Sequence, residues 1–356
     1  GLNAVIRAVV RRGVTDYGYE FVGFRDGWKG PLEGLTMELG IPQVRGILPR
    51  GGTILGSSRT NPIKVDGGID TIKDNMRSLG VDALVAIGGE DTLGVATALT
   101  DAGLPAVGVP KTIDNDLCVT DHCPGFGSAA RFVASALMGD NEDNRSLKGI
   151  KIDVIMGRHA GWLTAASTMA KVHDEDGPHL VYVPERAFDL ERFGQDVKEV
   201  YDSLGRCVIA VSEGIHDAEG KLILESQEKD SHGNVQLSGT GALGDFLASQ
   251  LKEVLGPKTR IRADTFGYLQ RSFADCVSEV DADEAREVGR TAARIATSGE
   301  YQHGSIIIRR EDDPTYRAAF EVTELENVAQ KTKVLPEEYL GEQGHISPEF
   351  QAYARP

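Results

Sequence analysis

The feature that most constrains this chain is a series of short apolar runs, each followed by a stretch with helical periodicity. The runs lie at residues 19–24, 83–87, 106–109, 150–156, 208–211 and 305–308, and they are predominantly apolar, with Val and Ile prominent in most. Runs of this length and composition suit strands buried on both faces, which is the setting of a parallel sheet. Between them, Val5, Ile6, Val9 and Val10 recur behind Asn3 as a helix cap, and residues 162–172 and 281–298 keep a period near 3.6. Alternating strands and helices imply a mostly parallel α/β sheet. The 42 glycines are spread among these segments rather than gathered into a linker, as tight strand-to-helix turns require. At 356 residues the chain is too long for one small core, so we expect two domains of about 150 residues each. Residues 217–233, acidic and Gly-containing, read as a surface loop or hairpin.

Charge and cysteine content remove several classes of function. Lys and Arg total 38 against 54 Asp and Glu, a net charge of −16, which argues against a general nucleic-acid binder. No uncharged apolar stretch reaches the ~20 residues needed to cross a bilayer, and the expectation is a chain without a signal peptide. We expect a cytoplasmic protein without membrane partners. Cys118, Cys123, Cys207 and Cys276 form no CxxC pair and have no downstream Cys/His motif, so reduced thiols are expected. The chain begins Gly1-Leu2-Asn3, directly in a helical pattern, without Met and without the strand and Gly-rich turn that feed a helix in a doubly wound sheet. A truncated N-terminus is the expectation.

Five clusters carry candidate chemistry, and each also has a plain structural reading. Gly88-Gly89-Glu90-Asp91-Thr92 follows an apolar run and opens a helix. Paired glycines there let backbone N–H groups approach an anion, and a Mg²⁺ held by Glu90 would explain carboxylates beside a phosphate. The same acids could merely complement the helix dipole. Pro110-Lys111-Thr112-Ile113-Asp114-Asn115-Asp116 follows the next run, so both acidic clusters fall on one rim of the sheet, where open α/β folds bind ligands. An Asp beside a Lys and a Thr can orient a hydroxyl and take its proton as a phosphoryl group arrives; a self-capped polar turn fits these residues equally well. Gly51-Gly52-Thr53-Ile54-Leu55-Gly56-Ser57-Ser58-Arg59 ends in an Arg that could stabilise a transferring phosphoryl group. Met156-Gly157-Arg158-His159-Ala160-Gly161-Trp162, and Arg262 with Gly267-Tyr268-Leu269-Gln270-Arg271, add arginines suited to bidentate phosphate capture or to solvated salt bridges.

Together, in this order and over nearly the whole chain, these clusters resemble the phosphofructokinases, of which Thr-Ile-Asp-Asn-Asp and Met-Gly-Arg are signatures. The resemblance implies two Rossmann-like three-layer α/β/α domains with mostly parallel sheets and an active-site cleft between them. Residues 1–125 with 270–320 would form the phosphoryl-donor domain, and 126–269 with 321–356 the fructose 6-phosphate domain. By position, it implies that Asp114 is the base for the sugar 1-hydroxyl, with Thr112 and Asp116 beside it, and that Arg59 contacts phosphate. Glu90 matches the Mg²⁺-binding acid, usually Asp in the family. Gly89, Asp91, Thr92 and Lys111 match donor-binding positions. Met156, Gly157, Arg158, Glu213, Tyr268 and Arg271 match the sugar-phosphate pocket, and Arg262 matches an Arg lent across a subunit interface, so a homodimer or homotetramer with a shared site is implied.

The donor follows from two positions. ATP-dependent members usually carry Gly where this chain has Asp91 and Lys111, and commonly His where it has Tyr268; an acid and a Lys there resemble the pyrophosphate-dependent branch. A carboxylate at Asp91 would crowd and repel an α-phosphate, whereas Lys111 can neutralise compact pyrophosphate. The expected activity is therefore Mg²⁺-dependent transfer from pyrophosphate to fructose 6-phosphate, with ATP as the alternative donor. A non-catalytic sugar-phosphate-binding regulator would have lost Asp114, Asp116 and Glu90, and a dinucleotide-dependent dehydrogenase would need a GxGxxG fingerprint that is missing. Two departures from the family stand out. The opening strand and Gly-Gly-Gly-Asp loop are absent, and Gly149 occupies the place of a second cross-subunit Arg, with Arg145 and Lys148 as nearby substitutes.

Overall fold

The computed structural model describes residues 1–224, 241–299, 301, 303–329, 332–342 and 344–356. Ten strands are formed among them: β1 Val22–Phe24, β2 Thr36–Glu38, β3 Leu84–Gly88, β4 Ala106–Pro110, β5 Gly149–Ile155, β6 Leu180–Tyr182, β7 Arg206–Ser212, β8 Ile261–Thr265, β9 Gly304–Arg310 and β10 Ala318–Glu324. The chain divides into two compact units. One comprises Gly1–Ile113, Leu117–Gly127 and Val277–Thr332; the other comprises Asp114–Asp116, Ser128–Cys276 and Lys333–Pro356.

The first unit is built on a sheet of order β10-β9-β4-β3, in which β3, β4 and β9 are parallel and β10 closes the edge antiparallel to β9. Helices Leu2–Arg12 and Glu279–Ile295 cover one face, burying Val5, Val9, Val288 and Ala292 against Val107, Val109, Ile306 and Ile308. Helices Glu90–Asp101 and Leu325–Ala329 cover the other through Leu93, Ala96, Leu325 and Val328. Each fully buried Val, Leu or Ile side chain contributes roughly 1.5–3 kcal/mol of transfer free energy, so both faces are needed to hold a four-stranded sheet. A separate antiparallel pair, β1 with β2, packs nearby residues Phe24 and Leu39 into this unit's smaller cores.

The second unit is all parallel, in the order β6-β7-β5-β8. Ile150, Ile152 and Val154 point to one side of β5 and pack with Cys207, Ile209 and Val211 of β7 under Phe193, Val197, Leu247 and Leu251 of helices Leu190–Leu204 and Ala242–Leu255. On the opposite side, β5 carries Lys151 and Asp153, and Lys151 reaches Asp140 of helix Phe126–Leu147 at 3.3 Å. The run at 150–156 is thus buried on both faces, but one face is polar.

Several sequence expectations are corrected. Asn3 is no cap: it lies inside Leu2–Arg12, and its amide Nδ2 donates to Arg50 O (2.9 Å) while Oδ1 accepts from Ile54 N (2.9 Å). It pins the turn 50–54 instead. The helix over 162–172 ends at Ala166 and continues as a 3-10 turn, Ser167–Ala170. Residues 321–329, expected with the sugar-phosphate domain, complete β10 and form the helix Leu325–Ala329 in the first unit, whereas Asp114–Asp116 belong to the second. In the stretch 217–233, Leu222 pairs with His216, the residue just before the stretch, as an antiparallel bridge, and positions 225–233 lie outside the described residues.

Candidate active site

In the first unit, β3 and β4 end side by side: Gly88 is in register with Pro110, and Lys111 N donates to Gly88 O at 2.9 Å. Gly89 caps the helix Glu90–Asp101, placing Glu90 and Asp91 in its first turn with Thr92, and both acids are exposed. The Gly-Gly-Glu-Asp-Thr and Pro-Lys-Thr clusters therefore share one sheet rim, as the apolar runs before them imply. Arg59 lies in the same unit, beyond the turn that Asn3 holds.

The Lys-Thr-Ile-Asp-Asn-Asp motif spans both units, with Lys111 and Thr112 in the first and Asp114, Asn115 and Asp116 in the second. Asn115 is fully buried and adopts φ +54°, a left-handed conformation that costs an ordinary L-residue roughly 1–2 kcal/mol and that Asn tolerates best. Its side chain is gripped by residues more than 200 positions away: Nδ2 donates to Tyr353 Oη at 2.9 Å, and Oδ1 accepts from Lys333 Nζ at 3.3 Å. Nothing local in the sequence marks Lys333 or Tyr353.

The second unit gathers Met156, Gly157, Arg158 and Glu213 at the C-terminal ends of β5 and β7. Glu213 N donates to Ile155 O (2.9 Å), and Ser212 Oγ donates to Gly157 O (2.5 Å). Gly157 has φ +152°, and a Cβ there would meet Ala160 O at 2.5 Å, so the tight turn admits no side chain. Met156 and Glu213 are buried, while Arg158 is half-buried. After β8, Gln270 Nε2 donates to Gly267 O (2.9 Å), and the Arg271 guanidinium stacks over the Tyr268 ring at 4.7 Å. Tyr268 is 48% exposed.

Arg262 is not brought to this end. It lies near the start of β8 in register with Lys151, five residues before Met156, which at ~3.3 Å per residue leaves roughly 16 Å along the sheet. Arg262 is exposed on what is the edge strand among the described residues. The substitutes considered for the second cross-subunit Arg fare unequally. Arg145 is engaged within its own chain by Asp176 at 2.5 Å; although burial opposes the charged carboxyl of Asp176, hydrogen bonds led by that of Arg145 hold its pKa below the usual range. Lys148 is exposed, at φ +37°. Gly149 itself, at φ +111°, would place a Cβ 2.6 Å from Arg260 O, which explains why no side chain stands there.

For a divalent cation, the exposed carboxylate of Glu90 at the rim has the hard oxygen chemistry that Mg²⁺ takes, with one or two carboxylates supplemented by substrate phosphate. A second acidic group, Asp140, Asp153 and Asp264, gathers ligand oxygens within 4.8 Å of one another in the second unit. Lys151 already lies among them, pairing with Asp140 and Asp264. Burial, reinforced by Asp140, pushes the Asp153 pKa well up. With the Lys151 ammonium among them, these carboxylates form an ion-pair network, of which Asp153 is buried and Asp264 exposed.

Residues 1–296 match the family model described as phosphofructokinase. The chain is 52% identical over 281 residues to the pyrophosphate–fructose 6-phosphate 1-phosphotransferase of Rhodospirillum rubrum, covering 76% of this chain and 69% of that protein. It is 38% identical over 338 residues to the ATP-dependent 6-phosphofructokinase 3 of Streptomyces coelicolor, covering 95% and 93%. Among solved structures, a pyrophosphate-dependent phosphofructokinase from Marinobacter aquaeolei aligns with TM-score 0.86 at 25% identity, over 99% of this chain and 87% of that one. Among the described residues, no helix is long and apolar enough to cross a membrane.

Proposed function

Because the chain belongs to the phosphofructokinase family, we propose that it transfers a phosphoryl group from pyrophosphate to the 1-hydroxyl of fructose 6-phosphate, giving fructose 1,6-bisphosphate and phosphate. The observation that supports the donor assignment is the placing of Lys111 just past β4 and of Asp91 in the first helical turn after β3, on neighbouring strand ends joined by the Lys111 N to Gly88 O bond of 2.9 Å. A carboxylate in the first helical turn repels any further phosphate of a nucleotide, by up to ~4 kcal/mol for unit charges 4 Å apart near a protein surface. Lys111 offsets the charge of pyrophosphate itself. The 52% identity to a relative named for pyrophosphate, against 38% to one named for ATP, supports the same reading. That second relative, matching 95% of this chain, makes ATP the alternative donor.

In the proposed reaction, Asp114 accepts the proton of the 1-hydroxyl as its oxygen bonds to phosphorus and the bridging P–O bond of pyrophosphate breaks. Thr112 and Asp116 orient the hydroxyl, and Arg59 stabilises charge on the transferring group. Gly89 and Thr92 offer backbone and hydroxyl donors to the departing phosphate at the helix N-terminus. Met156, Gly157, Arg158, Glu213, Tyr268 and Arg271 hold the sugar phosphate. Glu90 would hold Mg²⁺, which when bound neutralises phosphate charge. Arg262, exposed and remote from Met156 along its own sheet, serves the site of a neighbouring subunit in a homodimer or homotetramer.

The test is the ratio of kcat/KM for ATP over pyrophosphate at saturating Mg²⁺. The wild type should favour pyrophosphate. Asp91→Gly should raise the ratio at least tenfold, about 1.4 kcal/mol. Lys111→Gly should weaken pyrophosphate use and help ATP only in the double variant, because the two side chains act on one ligand. A wild type that prefers ATP, or an unchanged ratio in Asp91→Gly, overturns the donor assignment.

A further inference from the structure

The C-terminal segment Lys333–Pro356 packs on the second unit's share of the acidic motif, and its contacts converge on Asn115. Lys333 touches the motif twice: its N–H donates to Asp116 O at 2.7 Å, and its Nζ donates to Asn115 Oδ1 at 3.3 Å. Lys333 is itself fixed by Trp162, whose Nε1 donates to Lys333 O at 3.0 Å and whose ring lies 4.8 Å from Nζ. Two residues on, Leu335 N donates to Glu185 Oε1 (2.9 Å), which also accepts from Gly161 N (2.9 Å). Tyr353, the partner of Asn115 Nδ2, sits in an aromatic cluster with Trp162, Tyr339 and Phe350 at ring separations of 5.4–6.0 Å. One strap thus joins Asp-Asn-Asp to the Gly-Trp end of the Met-Gly-Arg-His-Ala-Gly-Trp motif.

We propose that Lys333 and Tyr353 are positioning residues for phosphoryl transfer, holding Asn115 left-handed so that Asp114 and Asp116, on either side of it, project in their working directions. The inference rests on the proposed roles of those two carboxylates. Without its grip, Asn115 falls back to the ordinary negative-φ regions, a rotation of roughly 100° or more that turns the peptide planes bearing both aspartates. A displacement of about 1 Å at a reacting group can cost about 10²-fold in rate, whereas sugar-phosphate binding rests on other side chains. The strap therefore acts on kcat and leaves KM for fructose 6-phosphate in place.

The experiment compares Tyr353→Phe, which keeps the aromatic cluster and removes one hydroxyl, with Lys333→Met, which keeps the stem over Trp162 and removes the charge. Each should lower kcat by roughly 10- to 100-fold with KM for fructose 6-phosphate within about threefold. Asn115→Gly, which accepts φ +54° without side-chain contacts, supplies the decisive background. Adding Tyr353→Phe or Lys333→Met to it should cost less than about twofold further, since the coupling runs through Asn115. Hydrogen exchange of the peptide spanning 112–117 should accelerate in Tyr353→Phe while that of helix Leu190–Leu204 stays as in the wild type. Losses that add fully in the Asn115→Gly background, a KM change in place of the kcat change, or unaltered exchange at 112–117 would each overturn the proposal. A wild type inactive with both donors defeats the functional reading instead, and the exchange measurement still decides whether the strap holds the motif.

Discussion

Raising the pH should loosen the first unit through one buried histidine. His122 lies six residues beyond Asp116 with its ring between two carboxylates, Nδ1 at 2.8 Å from Asp121 Oδ2 and Nε2 at 2.5 Å from Glu284 Oε2. Burial works against the charged ring, yet the hydrogen bonds and charges of Asp121 and Glu284 outweigh it and raise its pKa from 6.5 to about 9. Arg310 reaches Asp121 (3.4 Å) and Tyr316 donates to Glu284, so the brace ties the loop after the acidic motif to helix Glu279–Ile295 and to β9. At ~1.36 kcal/mol per pH unit, a rise from 6.5 to about 9 corresponds to about 3 kcal/mol. Because the folded-state pKa is the higher one, this stability is fully present below pH 6.5 and is lost as pH climbs through about 9. Urea unfolding of wild type and His122→Gln at intervals from pH 6 to pH 10 reads the effect. The stability advantage of wild type over the variant should shrink by about 3 kcal/mol across that range. Parallel pH dependences for the two proteins would refute a charged His122.

Three further outcomes follow from the site. Asp114→Ser should lower turnover by roughly 10²–10⁴-fold with little change in fructose 6-phosphate binding, as measured by initial rates and calorimetry; near-normal turnover would remove it as the base. Gly149→Ala forces a Cβ to within 2.6 Å of Arg260 O at φ +111° and should cost about 1–3 kcal/mol in denaturant unfolding, with an unchanged midpoint counting against the strain. Arg262→Ala and Asp114→Ser subunits, each impaired alone, should regain activity when dissociated and reassembled together; reassembled hybrids that remain as inactive as their parents would confine the site to one chain.

The sequence alone determined the elements whose local pattern and tertiary role agree. Apolar runs at 83–87, 106–109, 208–211 and 305–308 became β3, β4, β7 and β9 because a strand covered on both sides by helices must be apolar on both faces, and composition records that. The glycine and acidic clusters at the ends of β3 and β4 were legible for the same reason, since turn chemistry is local. What depended on distant partners was not. β2 and β6 are three residues each, too short to show a period, and β8 and β10 alternate apolar and polar residues as half-exposed strands do, unlike the continuous apolar runs of the buried strands. Asn3 looked like a cap because caps and loop-bridging amides use the same residue type, and only the loop at Arg50 and Ile54 told them apart. The setting of Lys151 and Asp153 within the run at 150–156 was decided by Asp140 and Asp264, which come from other elements to pair with Lys151. The conformation of Asn115 likewise waited on Lys333 and Tyr353, because a left-handed backbone at a residue other than glycine persists only when contacts far along the chain outweigh its cost.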